Sequence, residues 1–225
     1  PKSNTLQSIE IGQQLYYVDK PDKNGLVTDK NIETNLNFNF INASQIEIEF
    51  SNRYVFLEYD FDPTGVNEKT PIKEGGYNSK EIEIRYSSTS SNKFRFETDI
   101  NYGGFYNGEK YSLETELNYR VDKLMQASLE LGVDKILLPK PQKSVNLFLI
   151  SPKIDFTFNK EISWATFIQY SNFSDSLGIN SRFKWRFAPL SDLYLVYTDN
   201  SYFTDYRYAP RFKTINLKIT YWLNI

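Results

Sequence analysis

Stretches of about ten residues that alternate apolar and polar side chains recur along the whole chain, and this alternation restricts the fold more than any motif does. The cleanest reads Ile32-Glu33-Thr34-Asn35-Leu36-Asn37-Phe38-Asn39-Phe40. In a strand, successive side chains point to opposite faces, so Ile32, Thr34, Leu36, Phe38 and Phe40 share an apolar face. Glu33, Asn35, Asn37 and Asn39 share the other, which is made of ions and amides. A sheet with one apolar and one charged face needs two solvents. A bilayer outside and a watery lumen inside supply them. The expected fold is all-β, an antiparallel transmembrane β-barrel of about 12 strands over residues 1–225 as one domain.

The predicted strands are Leu6–Val18, Ile32–Ile41, Ile46–Phe56, Ser79–Ser87, Lys93–Phe105, Tyr111–Val121, Leu124–Ile136, Val145–Phe158, Ile162–Tyr170, Leu177–Phe187, Asp192–Thr198 and Phe212–Ile225. Strands rise about 3.3 Å per residue and tilt about 40° in barrels, so five outward residues cover roughly 25 Å of height, enough for a bilayer core. Within Val145–Phe158 the apolar phase slips by one residue, from Val145, Leu147 and Leu149 to Ile150, Ile154, Phe156 and Phe158. A slip of one residue flips the faces, which predicts a bulge near Leu149–Ile150. Short connections (Asn42–Ser44, Ser88–Asn92, Asp122–Lys123, Asn159–Glu161, Ala188–Ser191) alternate with longer ones (Asp19–Asp29, Leu57–Asn78, Leu138–Lys143, Asp199–Arg211). Short periplasmic turns and longer external loops produce that rhythm, and an even strand count puts both ends of the barrel on the periplasmic side.

No run of 18 apolar residues exists, which excludes a membrane-spanning helix and says nothing of strands. The opening at Pro1, with no visible leader, reads as a mature or shortened form. Seventeen Tyr and 17 Phe supply rings for the two bilayer interfaces, where amphipathic aromatics sit best. Trp164, Trp185, Tyr221 and Trp222 are the candidates for the short-turn side. A soluble barrel would place the same apolar face inward, and periodicity alone leaves that alternative open.

The polar face is where function would reside. Glu33, Glu47, Glu49, Glu97, Glu114 and Glu116 make its first part acidic, with Arg53 and Arg85 set among them. Arg182, Lys184 and Arg186 form a basic ladder on one late strand, and Lys218 adds to it from the last. All twelve are candidate lumen-lining residues. Two uses of such charges compete: a transverse field that orients and selects polar solutes, or a network of ion pairs that fills a narrow interior.

Several function classes fall away. Twenty-six Lys+Arg against 28 Asp+Glu give no basic surface for nucleic acid. The chain has no Cys and no His, so disulfides, thiolate metal sites and imidazole-based hydrolysis are unavailable. Carboxylates two apart, such as Glu114 and Glu116, recur on most strands and so do not mark a glycosidase pair. No metal site, cofactor or enzymatic activity is expected. The loop with Pro63-Thr64-Gly65 and Gly75-Gly76-Tyr77, and the tyrosine-rich Tyr202–Tyr208, are candidates for a mouth-covering or partner-binding role. Mobile, solvated loops are the plainer expectation for both.

The stretch from Phe167 to Thr198 carries a resemblance. Gln169, Tyr170, Asn180, Arg182, Trp185, Pro189, Ser191, Asp192, Leu193, Val196 and Tyr197, with the closing Lys218-Ile219-Thr220-Tyr221, fit a pattern of Q-Y, N-x-R-x-x-W, a Pro-containing turn, S-D-L and V-Y. It resembles the end of a family of Gram-negative outer-membrane proteins in which a carbohydrate-binding-module-family-9-like sandwich precedes a C-terminal barrel domain of unknown function. The specific part spans some 35 residues. The resemblance implies an outer-membrane location but supplies no reaction. These 225 residues hold no counterpart of the sugar-binding sandwich, so its ligand site carries over to no residue here. Family barrels are longer, which implies that these strands are the C-terminal part of a larger wall. The expected function is a passive pore or membrane anchor in the outer membrane of a Gram-negative bacterium, linked to glycan binding or uptake. Its partners would be outer-membrane lipid and, further, glycans or other envelope proteins. The alternative is a structural barrel subunit of an envelope complex that binds partners through loops or periplasmic turns.

Overall fold

The computed structural model describes residues 4–89, 91–204 and 207–223. The chain is all-β. Its strands are β1 (Leu6–Lys20), β2 (Leu26–Phe40), β3 (Gln45–Leu57), β4 (Gly75–Ser87), β5 (Phe94–Phe105), β6 (Gly108–Val121), β7 (Met125–Leu137), β8 (Val145–Thr157), β9 (Ile162–Ser171), β10 (Ser176–Ala188), β11 (Ser191–Thr204) and β12 (Arg207–Thr220). They form one antiparallel sheet in sequence order, so each strand pairs with the next. Short connections make this the only economical order, because a hairpin returns the chain directly alongside itself.

The strands outrun the predicted ones. β1 and β2 stay paired as far as Lys20↔Leu26 and are closed by residues 21–25, where Asn24 and Gly25 take positive φ values of 56° and 71°. The long connection expected over Asp19–Asp29 is therefore a tight turn. The one expected over Asp199–Arg211 is likewise paired strand, out to Thr204↔Arg207. Asp205 and Tyr206 of the tyrosine-rich stretch lie outside the described residues, as do Asn224 and Ile225 at the end of the last predicted strand. The cause is simple. Alternation is imposed only where one face must be apolar, whereas ladder hydrogen bonds continue wherever two backbones run together.

The chain divides into two compact units. The first comprises residues 1–91, 97–115 and 132–147, and so holds β1–β4 and most of β5. Its register sorts the side chains cleanly. The row Ile11↔Leu36↔Ile48↔Ile84↔Ile100 lies on one face, and the next row out is Ile9↔Phe38↔Ile46↔Tyr86. The other face carries Glu10↔Asn37↔Glu47↔Arg85↔Asp99 and Gly12↔Asn35↔Glu49↔Glu83↔Asn101. Toward the long loop the apolar face ends at Lys30 and Lys80, with Tyr17 and Tyr54 in the row of Lys30. A charge at that row needs water, so the row marks the edge of the apolar band.

The second unit comprises residues 92–96, 116–131 and 148–225. Its apolar face includes the row Phe156↔Trp164↔Phe183↔Leu195↔Leu217. Its polar face includes Thr157↔Ser163↔Lys184↔Tyr194↔Lys218 and Asp155↔Ala165↔Arg182↔Val196↔Asn216. The apolar band ends at Asp199, which is 4% exposed and receives Lys213 Nζ at 3.2 Å and hydrogen bonds from Ser201 and Tyr197.

Very little of this apolar surface is buried. Among the described residues only Ile72, Ile136 and Leu138 are buried hydrophobics. The strand faces stay open: Ile11 is 74% exposed, Ile215 72% and Leu15 68%. A soluble barrel would bury its apolar face as a core; these faces are not buried.

β8 holds a single register with β9 from Leu149↔Ser171 to Thr157↔Ser163. The bulge expected near Leu149–Ile150 is absent from this pairing. Val145 and Leu147 share the face of Ser151, Lys153 and Asp155, and they are apolar for a different reason, which lies in the loop beside them.

Candidate functional site

In the first unit the polar face is organised around Arg85. Register places Glu47 and Asp99 directly across from it, on β3 and β5, while Glu83 precedes it by two on β4. Its guanidinium contacts Asp99, with Glu83 at 3.0 Å, Glu47 at 3.6 Å and Glu97 at 3.8 Å. Four carboxylates thus share one cation. None is dry: Asp99 is 23% exposed and Glu97 50%. An open cavity of about 270 Å³ lies here, bounded by Glu10, Asn37, Asn39, Gln45, Glu47 and Arg85. Of the other acidic candidates, Glu49 faces Asn35 and Glu83, and Glu33 faces Gln14 and Ser51 and receives Asn31 Nδ2 at 2.5 Å. Arg53 pairs with Asp29 at 2.9 Å near the loop end. Glu114 lies on β6 in this unit.

The second unit reverses the sign. Arg186 and Lys184 share Asp192, at 3.1 and 3.8 Å, and Lys184 lies 5.5 Å from the Tyr194 ring centroid. Lys153 pairs with Asp155 at 3.0 Å. Arg182 has Ala165 and Val196 across from it, and neither side chain can accept a hydrogen bond. Lys218 stands beside Tyr194 on β12. Glu116, the one acidic candidate of this unit, receives Asn118 Nδ2 at 2.9 Å.

The interface aromatics gather on the apolar face of this unit at its short-turn end. Phe156 stacks on Phe158 and on Trp164 at 6.0 and 6.2 Å, and Trp185 meets Phe187 edge-on at 5.7 Å. Phe187 stacks on Tyr221 at 6.4 Å. Trp222 follows β12, 60% exposed, and its backbone N–H donates to Ser191 Oγ at 3.1 Å. The ring contacts form two clusters, one of Phe156, Phe158 and Trp164 and one of Trp185, Phe187 and Tyr221.

Within the long connection Leu57–Asn78, residues 58–74 between β3 and β4 fold as a cap on the first unit. Phe61 and Ile72 exchange backbone hydrogen bonds at 2.9 and 2.8 Å. Ile72 is 1% exposed and packs with Ile136 and Leu138, and around these lie Leu57, Tyr77, Phe105, Val145 and Leu147. By strand parity Leu57, Tyr77 and Phe105 belong to the charged face, as Val145 and Leu147 do. At its loop end the polar face therefore turns apolar because the cap lies on it. That accounts for the phase slip in β8 without a bulge.

Asn67 latches the cap. Its Nδ2 donates to the Lys143 carbonyl at 2.9 Å and to Thr64 Oγ1 at 3.0 Å, and its Oδ1 accepts from the Lys143 N–H at 2.7 Å. The amide thus substitutes for a ladder partner of the β7–β8 connection, 3% exposed. Gln142 adds a bond from its Nε2 to the Pro71 carbonyl and accepts one from Asn107. Charge holds the outer rim. Lys20 and Lys23 both contact Glu58, and their hydrogen bonds hold its carboxyl at about 2. The hydrogen bond from Lys73 and that from the Glu74 N–H likewise lower Asp60. Burial pushes Asp62 up, but hydrogen bonds from Thr64 and from backbone N–H groups outweigh it, and its pKa is lowered.

Among the described residues, no group of three or more Asp or Glu is placed to hold a metal ion. No protein-family model matches the chain, and no curated protein matches it.

Proposed function

We propose that this chain forms the wall of a transmembrane β-barrel in the outer membrane of a Gram-negative bacterium and acts as a passive, charge-lined aqueous pore. The observation that carries the reading is the inversion of burial. The apolar strand faces are exposed, the charged faces are half-exposed rather than dry, and the few buried apolar side chains belong to the cap. Exposed apolar faces of this extent are stable only against lipid. Half-hydrated charges on the opposite face fit a water-filled interior better than a packed one. The resemblance carried by Gln169 to Tyr197 supports the same location and leaves a role with glycans as an extension of it.

The test is folding in detergent, a heat-modifiable gel shift to verify the barrel, and then planar-bilayer recording. Stepwise ion conductance is the expected result. Free solubility without detergent would overturn the membrane reading.

One observation favours a second use of the same barrel, as an anchoring or docking subunit. The cap has a small core of its own, yet it leaves Tyr59 72% and Val66 46% exposed, which is apolar surface on the water side of the band. A correctly folded barrel that never conducts would select this reading over the pore.

A further inference from the structure

The charged faces were weighed above as ion-pair networks, and in the second unit that account is incomplete. Lys153 has Asp155, and Lys184 and Arg186 share Asp192. Arg182 and Lys218 make no ion pair or hydrogen bond among the described residues, and no carboxylate stands across from either. Ala165 and Val196 flank Arg182 and cannot accept from its five donors, and the space beside it is open. That space is an open cavity of about 320 Å³, whose lining includes Arg182, Lys184, Ser163, Tyr194 and Asp155. An arginine kept without a partner between two small apolar residues stabilises nothing in the fold. Its fork is preorganised for the two oxygens of an oxyanion.

We propose that the polar face of β9–β12 carries a binding site for a small oxyanion, the phosphate or carboxylate group of a polar solute, seated in this cavity between Arg182 and Lys184. Arg182 receives two oxygens in a bidentate contact. Lys184 supplies a second positive charge in the cavity, and Lys218, across from Tyr194 in the same row, adds to the field from β12. Ser163, across from Lys184, offers a hydroxyl donor, and the Tyr194 ring offers a flat face for an apolar part of the solute. Asp155 at the rim, already paired with Lys153, disfavours oxyanions seated away from the arginine. The site deepens the pore reading by naming what the pore would concentrate, and it needs no passage of ions to exist.

The experiment is calorimetric titration of the detergent-folded full chain at fixed ionic strength. Inorganic phosphate and glucuronate are the two probes, and glucose is the uncharged control. Saturable heat with phosphate or with glucuronate, and none with glucose, is expected, and the probe that binds identifies which oxyanion the site takes. R182Q should weaken binding about tenfold or more, as for loss of a charge-assisted pair. R182K, which keeps the charge, should weaken it by less, and K218Q by severalfold. A heat-modifiable gel shift shows that each variant is folded. No saturable heat with either charged probe overturns the proposal, as does saturation that R182Q leaves unchanged. Binding without bilayer conductance would sink the pore and leave the site standing; conductance without binding would do the reverse.

Discussion

The polar faces of the two units are built alike and handle charge in opposite ways. In β1–β5 acids predominate, and they are gathered: Glu47, Glu83, Glu97 and Asp99 converge on Arg85. In β8–β12 bases predominate: Lys153, Lys184, Arg186 and Lys213 have carboxylates, while Arg182 and Lys218 make no ion pair or hydrogen bond among the described residues. The first arrangement makes the arginine a structural keystone, because removing it leaves four carboxylates facing one another. The second makes its cations expendable to the fold and available to a solute. The first unit also carries the cap, whose small core contains the only buried apolar side chains described. Charge that is paired tells of stability; charge that is unpaired tells of function.

The largest effect should come from that core. Ile72→Ala removes a fully buried side chain, and such truncations cost about 2–5 kcal/mol. Hydrogen exchange should report the loss as fast exchange confined to residues 58–74 and 138–144, with the β9–β12 amides unchanged. Loss of protection throughout β9–β12 would mean that the cap is not an independent element of the first unit.

The next effect separates the two kinds of charge. Arg85→Gln should destabilise the folded barrel in vesicles by roughly 1–2 kcal/mol toward urea. Hydrogen bonds to charged groups are worth somewhat more when dry, and here water reaches the arginine. Lys218→Gln should stay within about 0.5 kcal/mol of the parent, as exposed unpaired positions do. Equal effects at the two positions would erase the distinction between keystone and free cation.

The alternation made the strands and their faces legible from residues such as Ile32 to Phe40, because a sheet with one apolar and one polar face writes its pattern into local sequence. Pairing partners were less legible. That Arg85 sits among Glu47, Asp99 and Glu97 depends on the register of three strands, and no single strand contains that information. The cap was hidden for another reason: Asn67 and Gln142 are ordinary polar loop residues until a distant backbone, at Lys143 and Pro71, gives them partners. Yet its trace was present. Leu57, Phe105, Ile136, Val145 and Leu147 are apolar residues on a charged face, all near the long-loop ends of their strands. The phase slip at Val145–Leu149 is that trace in one strand. The extended ends of β1, β2 and β11 left no pattern at all, since beyond the apolar band neither face has to be apolar.

The smallest effect tests how the rim of the cap depends on charge. Glu58 titrates at about 2 in the folded chain, below the usual glutamate value of 4.5, because Lys20 and Lys23 hydrogen-bond its ionised form. A depressed carboxylate contributes stability above its unfolded pKa and loses it as the pH falls toward the folded value. Protection of residues 58–74 should therefore be flat from neutral pH to about 5 and decline from there toward 2, with Asp60 and Asp62, also lowered, adding to the decline. Glu58→Gln should reduce this acid-range decline while changing neutral-pH protection only slightly, since water screens an exposed pair. The β9–β12 face, where neither Arg182 nor Lys218 has a carboxylate across from it, should lose no protection through either cation between pH 5 and 2. If it declines in parallel with the cap and Arg182→Gln abolishes that decline, Arg182 has a carboxylate partner after all and the contrast between the two faces fails.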